Sequence, residues 1–402
     1  MRQISLAIIA ALGGALVSGA AIAASADHHP HSQPLYRITV LPSLGGSAAN
    51  SRGKSINDFG LVSGYSNAPN GQRHAAAWAF GQKVDLGTLG TDLDLASAVP
   101  WPVKNNVGLI SGISLTDDID PDGGQGWSCS AGGFLANPAG HACHGFLWAW
   151  GRMHDLKPLP GGNNSFATGT NNWGQTGGWA ENGVHDADCL APQTQQFKPV
   201  IWGPENDRIR ELPLVAGDSS GSVTAINDHG QAVGISGICD QAVGRSSARH
   251  AVLWEHGHVV RIDNPNGAPY WNTPMALTEN GMVAGFAGTP GDFDGNFTRA
   301  FAWSRSGGWR WIALLPEDVA AIGTGINMRG QVVGYSNDGT SFHPWIWQDG
   351  VTTDLNDRID RSNGFDGRLD LADDINDFGV IAGRGTDAGG NRIAFVATPL
   401  TR

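Results

Sequence analysis

Short apolar segments, separated by turns rich in Gly, Asn and Asp, run along most of the chain. The clearest example, residues 56–66, has the sequence Ile-Asn-Asp-Phe-Gly-Leu-Val-Ser-Gly-Tyr-Ser. Its Asn-x-x-Gly step is typical of a tight turn, because Asn tolerates the left-handed backbone conformation and Gly supplies a positive φ. The apolar residues on both sides of this step indicate two short β-strands joined by the turn.

This segment recurs six more times. The first Gly of each copy lies at position 60, 108, 174, 230, 281, 330 or 379, so neighbouring copies are 48 to 66 residues apart. Each copy continues with a third apolar run, such as residues 74–78, and several end a fourth run in Asp-Leu, as at residues 85–86. Repeats of this period with four antiparallel strands predict the blades of a β-propeller.

The two ends of the repeat region complement each other. The last copy stops after its third strand, at residues 394–396, and the chain begins with an extra strand at residues 36–41. We predict that this N-terminal strand completes the seventh blade, because a closed ring leaves no open sheet edge. The expected fold is therefore all-β, a single seven-bladed β-propeller over residues 35–402. An open solenoid is the alternative, and it would need polar capping units that neither end has.

The composition agrees with a turn-dense β-protein and excludes two classes of partner. The chain has 58 glycines among 402 residues, and Gly costs about 1 kcal/mol per helix position relative to Ala. It carries 25 Lys and Arg against 37 Asp and Glu, a formal net charge of -12. Without a run of basic residues, neither nucleic acid nor an anionic membrane surface is an expected partner.

The first residues have the order of a secretory signal peptide. Arg2 precedes an apolar run at residues 4–17, and Ala-x-Ala sites follow at residues 21–23 and 24–26. We expect cleavage of residues 1–26, a flexible segment at residues 27–34, and a monomeric mature protein in the periplasm or the medium. A retained amphipathic helix is the alternative. No stretch reaches the roughly 18 apolar residues of a membrane span.

The repeats resemble the HAF repeat of bacterial extracellular proteins, named for its His-Ala-Phe run. The family pattern Ile-Asn-x-x-Gly-x-Val-Val-Gly-x-Ser is similar to residues 326–336. The pattern His-Ala-Phe-x-Trp is similar to residues 299–303, with Arg for His, and Asp-Leu-Gly-x-Leu-Gly to residues 85–90. The resemblance covers residues 36–400 and implies export and a repeat fold. It implies no known reaction and supplies no catalytic residues.

Residues that recur in every blade are expected to serve the blade. The histidines that open the third strands are His74, His144, His250 and His343. They lie on different blades, too far apart to share one metal ion, so we predict hydrogen bonds within each blade. The tryptophans that close these strands, at positions 78, 148, 202, 254, 303 and 347, are predicted to fill the core between blades.

Function is expected where the copies differ. The Asn-x-x-Gly turns on one face are regular, whereas the loops between second and third strands, on the other face, vary in length. These loops are long in copies two to five and short in copy one. Variable loops on a repeated scaffold are the usual way to build a binding surface. We therefore predict that the binding surface is this loop face.

All four cysteines fall in these loops. Cys129 and Cys143 belong to the insertion of blade two, and Cys189 and Cys239 to neighbouring insertions of blades three and four. An even number of cysteines in an exported chain favours disulfides, so we predict these two pairs. The first bridge should contribute about 3 kcal/mol. Free thiols are the alternative, and the absence of C-x2-C spacing speaks against zinc.

Alternating carboxylates in the blade-two insertion suggest a calcium site. Asp118, Asp120 and Asp122 precede a Gly, and Ca²⁺ takes six to eight oxygen ligands in tightly turned loops. The full EF-hand pattern fails, because its twelfth position is Cys rather than Glu. Asp292 and Asp294 in blade five form a shorter version of the same pattern. A solvated acidic turn is the alternative for both.

The same loops carry aromatic residues that would suit stacking on sugar rings. The candidates for ligand binding are Trp127, Trp179, Trp271 and Phe293. Packing within the loops is the alternative, and it accounts for most of them, because large aromatics usually become buried.

Two functions are compatible with this sequence. The first is a non-catalytic exported propeller that recognises an extracellular glycan or protein through its loop face. The second is a carbohydrate-active enzyme, either a glycoside hydrolase or a polysaccharide lyase, with acidic residues at the mouth of the channel. Neither G-x-S-x-G nor H-E-x-x-H occurs, so the residues assign no catalytic group. Two converging carboxylates, or a Tyr/His/Arg set, in a deep pocket would favour the enzyme.

Overall fold

The structure is a computed structural model that describes residues 34–46, 50–123, 126–130, 134–204, 208–265 and 268–400. The predicted signal peptide, and the predicted flexible segment up to residue 33, lie outside the described residues. Within the described part of the chain, no helix is long and apolar enough to cross a membrane.

Short strands make up almost all of the regular structure. The chain opens with β1 (Tyr36–Val40). Blade one consists of β2 (Arg52–Ile56), β3 (Val62–Asn67), β4 (Arg73–Ala79) and β5 (Gln82–Gly87). Blade two consists of β6 (Ser97–Ala98), β7 (Ile110–Ile119), β8 (His141–Ala149) and β9 (Arg152–Leu156). Blade three consists of β10 (Ser165–Thr170), β11 (Thr176–His185), β12 (Gln195–Trp202) and β13 (Ile209–Glu211). Blade four consists of β14 (Ser220–Ile226), β15 (Ala232–Gly237), β16 (His250–Glu255) and β17 (His258–Arg261). Blade five consists of β18 (Thr273–Leu277), β19 (Val283–Ala287), β20 (Arg299–Ser304) and β21 (Gly308–Trp311). Blade six consists of β22 (Ala320–Ile326), β23 (Val332–Asn337), β24 (Phe342–Gln348) and β25 (Val351–Asp354). Blade seven contains β26 (Arg368–Ile375), β27 (Ile381–Thr386) and β28 (Arg392–Pro399), together with β1.

These strands form seven four-stranded antiparallel sheets arranged in a ring, which confirms the predicted seven-bladed β-propeller. First strands of neighbouring blades contact one another around the ring centre, as β10 and β14 do, and β2 and β26. Among the described residues, the helical structure is limited to α1 (Trp127–Ser130) and to 3₁₀ helices at Arg245–Ala248, Leu355–Arg358 and Arg361–Asn363. The described helices are thus short pieces inside loops.

β1 completes the seventh blade, as the sequence predicts. The seventh sheet has the order β1-β28-β27-β26, and β1 pairs antiparallel with β28 from Tyr36 opposite Pro399 to Val40 opposite Phe395. The ladder continues beyond the strand, where the Leu400 amide donates to the Leu35 carbonyl at 2.8 Å. The first and last described segments of the chain therefore close the ring together.

The Gly in the middle of each second strand is required by close backbone approach. The innermost strand shifts register between Gly53 and Ser55, and this irregularity brings the Arg52 carbonyl towards Gly64. A Cβ added at Gly64 would lie 1.9 Å from that carbonyl oxygen. Comparable register shifts occur in the innermost strands of blades three to seven. The repeat therefore keeps Gly because no side chain fits there.

The Asn of each turn does two tasks. The Asn57 Oδ1 accepts the backbone amides of Phe59 and Leu61, at 3.0 and 2.9 Å, and so caps its own turn. The Asn57 Nδ2 donates to the carbonyl of Asn105 in the next blade at 3.1 Å. The same donation to a neighbouring blade is made by Asn105, Asn171, Asn227, Asn327 and Asn376. Blade five has Thr278 in this place, which has no amide to donate. Side-chain hydrogen bonds from these Asn residues therefore connect neighbouring blades on this face. The turn motif alone did not predict this role of the Asn side chain.

The repeated histidines serve their own blades, as predicted. Each lies beside a carboxylate of the same blade, with Nδ1 2.8 to 3.2 Å from a carboxylate oxygen. The pairs are His74–Asp85, His144–Asp155, His250–Asp263 and His343–Asp318. Of the repeated tryptophans, Trp78, Trp202 and Trp254 are buried, and each donates its indole N–H to a carbonyl in the connection from the preceding blade. The repeated residues thus hold the scaffold.

Candidate functional site

The loop face is strongly asymmetric, as the sequence predicts. Long connections join second and third strands in blades two to five, at residues 120–140, 186–194, 238–249 and 288–298. The corresponding connections of blades six, seven and one are short, at residues 338–341, 387–391 and 68–72. The long loops are thus grouped on one side of the ring and the short loops on the other.

Two disulfides tie the long loops to the ring, and both predicted pairs are confirmed. Cys129 in α1 is bonded to Cys143, with a Cα–Cα distance of 5.6 Å, and Cys189 is bonded to Cys239 at 4.4 Å. Cys143 lies in β8 rather than in the loop before it. The second bridge joins the insertions of neighbouring blades, so it links the loop layer across a blade boundary.

The predicted stacking residues are divided between the core and the loop layer. Trp179 is fully buried, stacks on Phe166 at a centroid distance of 4.0 Å, and donates its indole N–H to the Ser128 carbonyl. The prediction that Trp179 offers a ligand platform is therefore wrong, because α1 and the blade-three core cover it. Trp127 and Trp271 are half-buried against the same apolar cluster.

Phe293, the fourth predicted stacking residue, already has partners on the loop face. Its carbonyl accepts the indole N–H of Trp271 at 2.8 Å, and the Arg245 guanidinium lies 4.8 Å from its ring centroid. Tyr270 packs edge-on against the same ring at 5.2 Å. This aromatic group holds the blade-four and blade-five loops together.

The predicted calcium ligands of blade two do not all point to one place. Asp118 is exposed at the end of β7, whereas Asp120 is buried. The Asn163 Nδ2 lies between Asp120 and Asp122 and donates to both carboxylates, at 3.1 and 3.0 Å. The geometry therefore brings two of the three carboxylates together around an amide. Calcium at these residues stays a prediction.

The shorter acidic pattern in blade five has a clear structural use. The Asp292 carboxylate is buried and accepts the backbone amides of Asn296 and Phe297, at 3.0 and 2.7 Å. Asp294 is exposed. Asp292 thus caps the turn that shapes its own loop, and a calcium ion at this pair also stays a prediction.

A cavity of about 270 Å³ opens on the loop face between blades five, six, seven and one. Its wall combines polar and aromatic side chains from blades one, six and seven with Gly295 and Thr298 of the blade-five loop. The residues used below are Arg52, Tyr335, Asn337, Phe342, Leu371 and Arg384. None of the described residues that line it is Asp, Glu or His, so a catalytic carboxylate pair does not lie in its described wall. The Tyr335 and Phe342 rings pack edge-on at 5.7 Å.

A buried group of charged residues lies beneath this cavity. The Asp373 carboxylate accepts two hydrogen bonds from the Arg52 guanidinium, at 2.8 and 2.6 Å, and one from the Lys54 ammonium at 2.7 Å. The Lys104 ammonium lies 2.6 Å from the Asp374 carboxylate. Because one carboxylate serves both Arg52 and Lys54, the group carries more positive than negative charge.

Burial and this charge imbalance shift the pKa values of the group. Burial and the neighbouring Arg52 lower the pKa of Lys54 to about 8, although Asp373 opposes the shift. The two cations outweigh the burial of Asp373 and hold the pKa of its carboxyl below the ordinary value. The pKa of Asp374 is raised, because burial outweighs the attraction of Lys104.

The lowered pKa of Lys54 makes stability depend on pH. Between about pH 8 and the ordinary Lys value near 10.5, the unfolded chain holds a proton that the folded chain has released. The free energy of unfolding should therefore rise with pH across this window. Urea denaturation at several pH values would measure the rise, and the Lys54→Met variant should lack this contribution. The exposed Lys83→Met variant, as control, should keep it; equal slopes in all three proteins would contradict the assignment.

Arg384, in the wall of the cavity, forms no ion pair with a described acidic residue. Its side chain is half-buried in the cavity wall, and the structure gives its Nε no hydrogen-bond partner among the described residues. Burial, together with the positive charges of Arg52 and Arg392, lowers the pKa of the Arg384 guanidinium. A partly buried cation that forms no ion pair is costly, so an anion that enters the cavity would be stabilised there.

Sequence reasoning missed this charged group, although a signal was present. The innermost strands of blades three to six contain no Lys, Arg, Asp or Glu, whereas β2 contains Arg52 and Lys54, and β26 contains Asp373 and Asp374. Charged residues in an innermost strand, at positions where the strands of other blades are neutral, therefore indicate a role other than holding the scaffold together.

Comparisons with known proteins give only distant likenesses. No known family model matches the chain, and no curated protein is similar to it in sequence. Among solved structures, the Aleuria aurantia lectin mutant in complex with Fucα1-6GlcNAc has a TM-score of 0.38 and 10% identity, covering 78% of this chain and 96% of that chain. AofleA from Arthrobotrys oligospora has a TM-score of 0.37 and 11% identity, with coverages of 91% and 86%. A gluconolactonase from Xanthomonas campestris has a TM-score of 0.30 and 13% identity, with coverages of 64% and 79%. Likenesses of this size carry no inference about a ligand.

Proposed function

We propose that this protein is an exported propeller of the HAF-repeat type that binds an acidic glycan in the cavity of its loop face. The observation that carries the proposal is the Arg384 side chain, which stands beside Arg52 in the cavity wall without an acidic partner among the described residues. Export rests on the signal-peptide pattern, and the two disulfides are consistent with an oxidising compartment.

The shape and lining of the cavity support a sugar-sized ligand. Its volume of about 270 Å³ is at the small end of ligand pockets. Phe342 is 44% exposed and presents an apolar ring, and Asn337 supplies an amide that can both donate and accept hydrogen bonds. An apolar ring beside polar donors is a combination that suits the faces and hydroxyls of one sugar unit. A protein partner would instead require a broad, flat contact.

The charge balance supports a carboxylate on that sugar. The buried group below the cavity has three cations, Arg52, Lys54 and Lys104, and they share two carboxylates. Arg384 adds a fourth positive charge. A guanidinium binds a carboxylate through two parallel hydrogen bonds, which fixes orientation as well as charge. A uronic acid unit therefore satisfies the cavity better than a neutral hexose.

Removing the unpaired cation is expected to weaken binding of an acidic glycan. A hydrogen bond to a charged group contributes about 1.5–3 kcal/mol, so Arg384→Ala should raise the dissociation constant of a uronic-acid oligosaccharide roughly 10- to 100-fold. A glycan array followed by calorimetry with the best acidic ligand would measure this. Arg210→Ala serves as the matched control, because Arg210 is exposed in β13 of blade three. The affinity of this variant for the oligosaccharide should not change.

The outcomes separate the parts of the proposal. Equal affinity for neutral and acidic oligosaccharides would refute the role of the carboxylate and leave glycan binding standing. Absence of binding to every glycan on the array would refute the function itself. Unchanged affinity in Arg384→Ala, with an acidic ligand bound, would place the site elsewhere on the loop face.

A polysaccharide lyase is the second candidate, because Tyr335 lies in the same cavity as two arginines. In such a reaction the guanidinium groups would neutralise a uronate carboxylate, and a base would remove the proton from the carbon that bears it. A carbon–carbon double bond would then form as the bond from the next carbon to the glycosidic oxygen breaks, and that oxygen would leave with a proton from a general acid. Burial raises the pKa of Tyr335 despite the nearby Arg52, so its hydroxyl stays protonated at neutral pH and is a poor base. This observation favours binding over cleavage. Unsaturated products from a uronate polymer would reverse that order.

A further inference from the structure

Three metal-ligating side chains meet where the connection from blade one to blade two passes the base of the blade-two insertion. Asp92, Asp94 and His141 each place one ligand atom so that the three atoms lie within 4.8 Å of one another. Asp92 and Asp94 are exposed and belong to a turn closed by the Leu95 amide, which donates to the Asp92 carbonyl. His141 begins β8. These residues lie outside the cavity described above.

His141 is the feature that separates this group from an ordinary acidic turn. The residue is only 7% exposed, and its Nδ1 has no hydrogen-bond partner among the described residues. A buried imidazole nitrogen normally has a partner, because leaving a buried polar atom unpaired costs about 1–3 kcal/mol. The two carboxylates beside the ring supply the negative charge that a bound cation would need.

The backbone on both sides of the group is held in place independently of any ligand. The Asp117 carboxylate accepts the amides of Thr91 and Asp92, at 2.8 and 3.2 Å, and so fixes the turn that carries the two acids. On the other side, the Asn137 side chain accepts from the His141 amide at 2.8 Å and donates to its carbonyl at 2.7 Å. Both anchors hold backbone groups and do not use the ligand atoms of Asp92, Asp94 or His141.

Close packing also fixes the approach of the two segments. A Cβ added at Gly90 would lie 2.4 Å from the Asp117 Oδ1, so a larger residue at position 90 would require the Asp117 side chain to shift. Neighbouring ligands of a tetrahedral ion with bonds of about 2.0–2.1 Å lie roughly 3.3 Å apart. Side chains that already lie within 4.8 Å reach this spacing by small rotations of the two exposed carboxylates.

We propose that Asp92, Asp94 and His141 form a binding site for a divalent transition-metal ion of the zinc type. One imidazole and two carboxylates are ligands that Zn²⁺ accepts, and water would complete the coordination. Calcium takes oxygen ligands, so the imidazole disfavours it. The ion would join the connection between blades one and two to the base of the insertion, close to the Cys129–Cys143 bridge. This site is distinct from the predicted calcium residues, Asp118, Asp120 and Asp122.

Zinc titration of the full exported protein after removal of metal by chelator tests this proposal. Isothermal calorimetry should show a tight site, and Zn²⁺ should raise the melting temperature. Asp94→Asn is the main variant, because Asp94 is exposed and its replacement should leave the fold intact. We expect it to weaken Zn²⁺ binding more than ~100-fold, since even losses of supporting residues weaken metal sites 10- to 100-fold. His141→Gln should do the same.

The controls distinguish this site from other metal-binding side chains. Asp188→Asn removes an exposed carboxylate of the blade-three loop, outside the group and outside the predicted calcium residues, and it should leave Zn²⁺ binding unchanged. Co²⁺ in place of Zn²⁺ should give visible absorption that is lost in Asp94→Asn. Zinc affinity that stays equal in native protein and Asp94→Asn would overturn the proposal, whether or not His141→Gln folds. A response to Ca²⁺ but not to Zn²⁺ would also overturn it.

Discussion

Deletion of β1, residues 36–40, should remove most of the stability of the propeller. Tyr36 and Ile38 are 1% and 5% exposed and pack into the core of the seventh blade. Full burial of such side chains contributes about 1.5–3 kcal/mol each, and the deletion also exposes the edge of β28. The expected loss of 5 kcal/mol or more is comparable to the whole stability of a typical domain, about 5–15 kcal/mol. We therefore expect loss of the cooperative thermal transition.

Point variants in the same strand provide matched controls for the deletion. Tyr36→Ala should destabilise by about 3–5 kcal/mol, the usual range for loss of a large buried aromatic side chain. Arg37→Ala and Thr39→Ala change exposed residues of the same strand, and both should stay within about 0.5 kcal/mol of the native protein. Calorimetric melting curves would compare the four proteins. A deletion variant that melts at the native temperature would show that β1 does not close the ring.

Asp373→Asn is expected to be the most damaging single polar substitution in the channel. The carboxylate is fully buried and forms ion pairs with both Arg52 and Lys54. Asn keeps the shape but removes the charge, which leaves two buried cations without their counter-ion. Removing one partner of a buried ion pair typically costs about 3–5 kcal/mol. Urea denaturation should therefore show a clear fall in the transition midpoint.

A rescue variant and a surface control make this result specific to charge. Adding Lys54→Met to Asp373→Asn removes one of the stranded cations and should recover part of the loss, because the two residues are in direct contact. Asp85→Asn makes the same chemical change in an exposed pair with His74, where the expected cost is below about 1 kcal/mol. Equal destabilisation by Asp373→Asn and Asp85→Asn would contradict the role assigned to the buried group.

The scaffold could be predicted from the sequence because its rules repeat. The turn Asn, the central Gly of each second strand and the extra strand at residues 36–41 all recur or complement each other in a fixed order. The disulfide pairs followed from the same reasoning, since a ring places neighbouring insertions side by side. Each blade needs the same contacts, so the same residue types recur at the same places in the repeat. The pattern can therefore be recognised by comparing the copies within one chain.

The candidate site could not be predicted in the same way, because its residues are single exceptions to the repeat. Asp373 is 321 residues from Arg52 along the chain, and only closure of the ring brings the two into contact. The position of Trp179 near the blade-three loop predicts a surface role, whereas α1 of the blade-two insertion packs over it. The group of Asp92, Asp94 and His141 likewise depends on how an irregular insertion packs, which no local pattern encodes.

The antiparallel closure of the seventh blade also determines how the ring would respond to mechanical force. Leu35 and Leu400 lie side by side at the same end of the ladder between β1 and β28. Opposite pulls at these two positions would load the bond at that end first, then the next, so the ladder would peel open one hydrogen bond at a time. A strand loaded in shear must break all of its bonds together. Tension should therefore detach β1 at low force and open the ring at one defined seam, while the other six blades still hold their sheets.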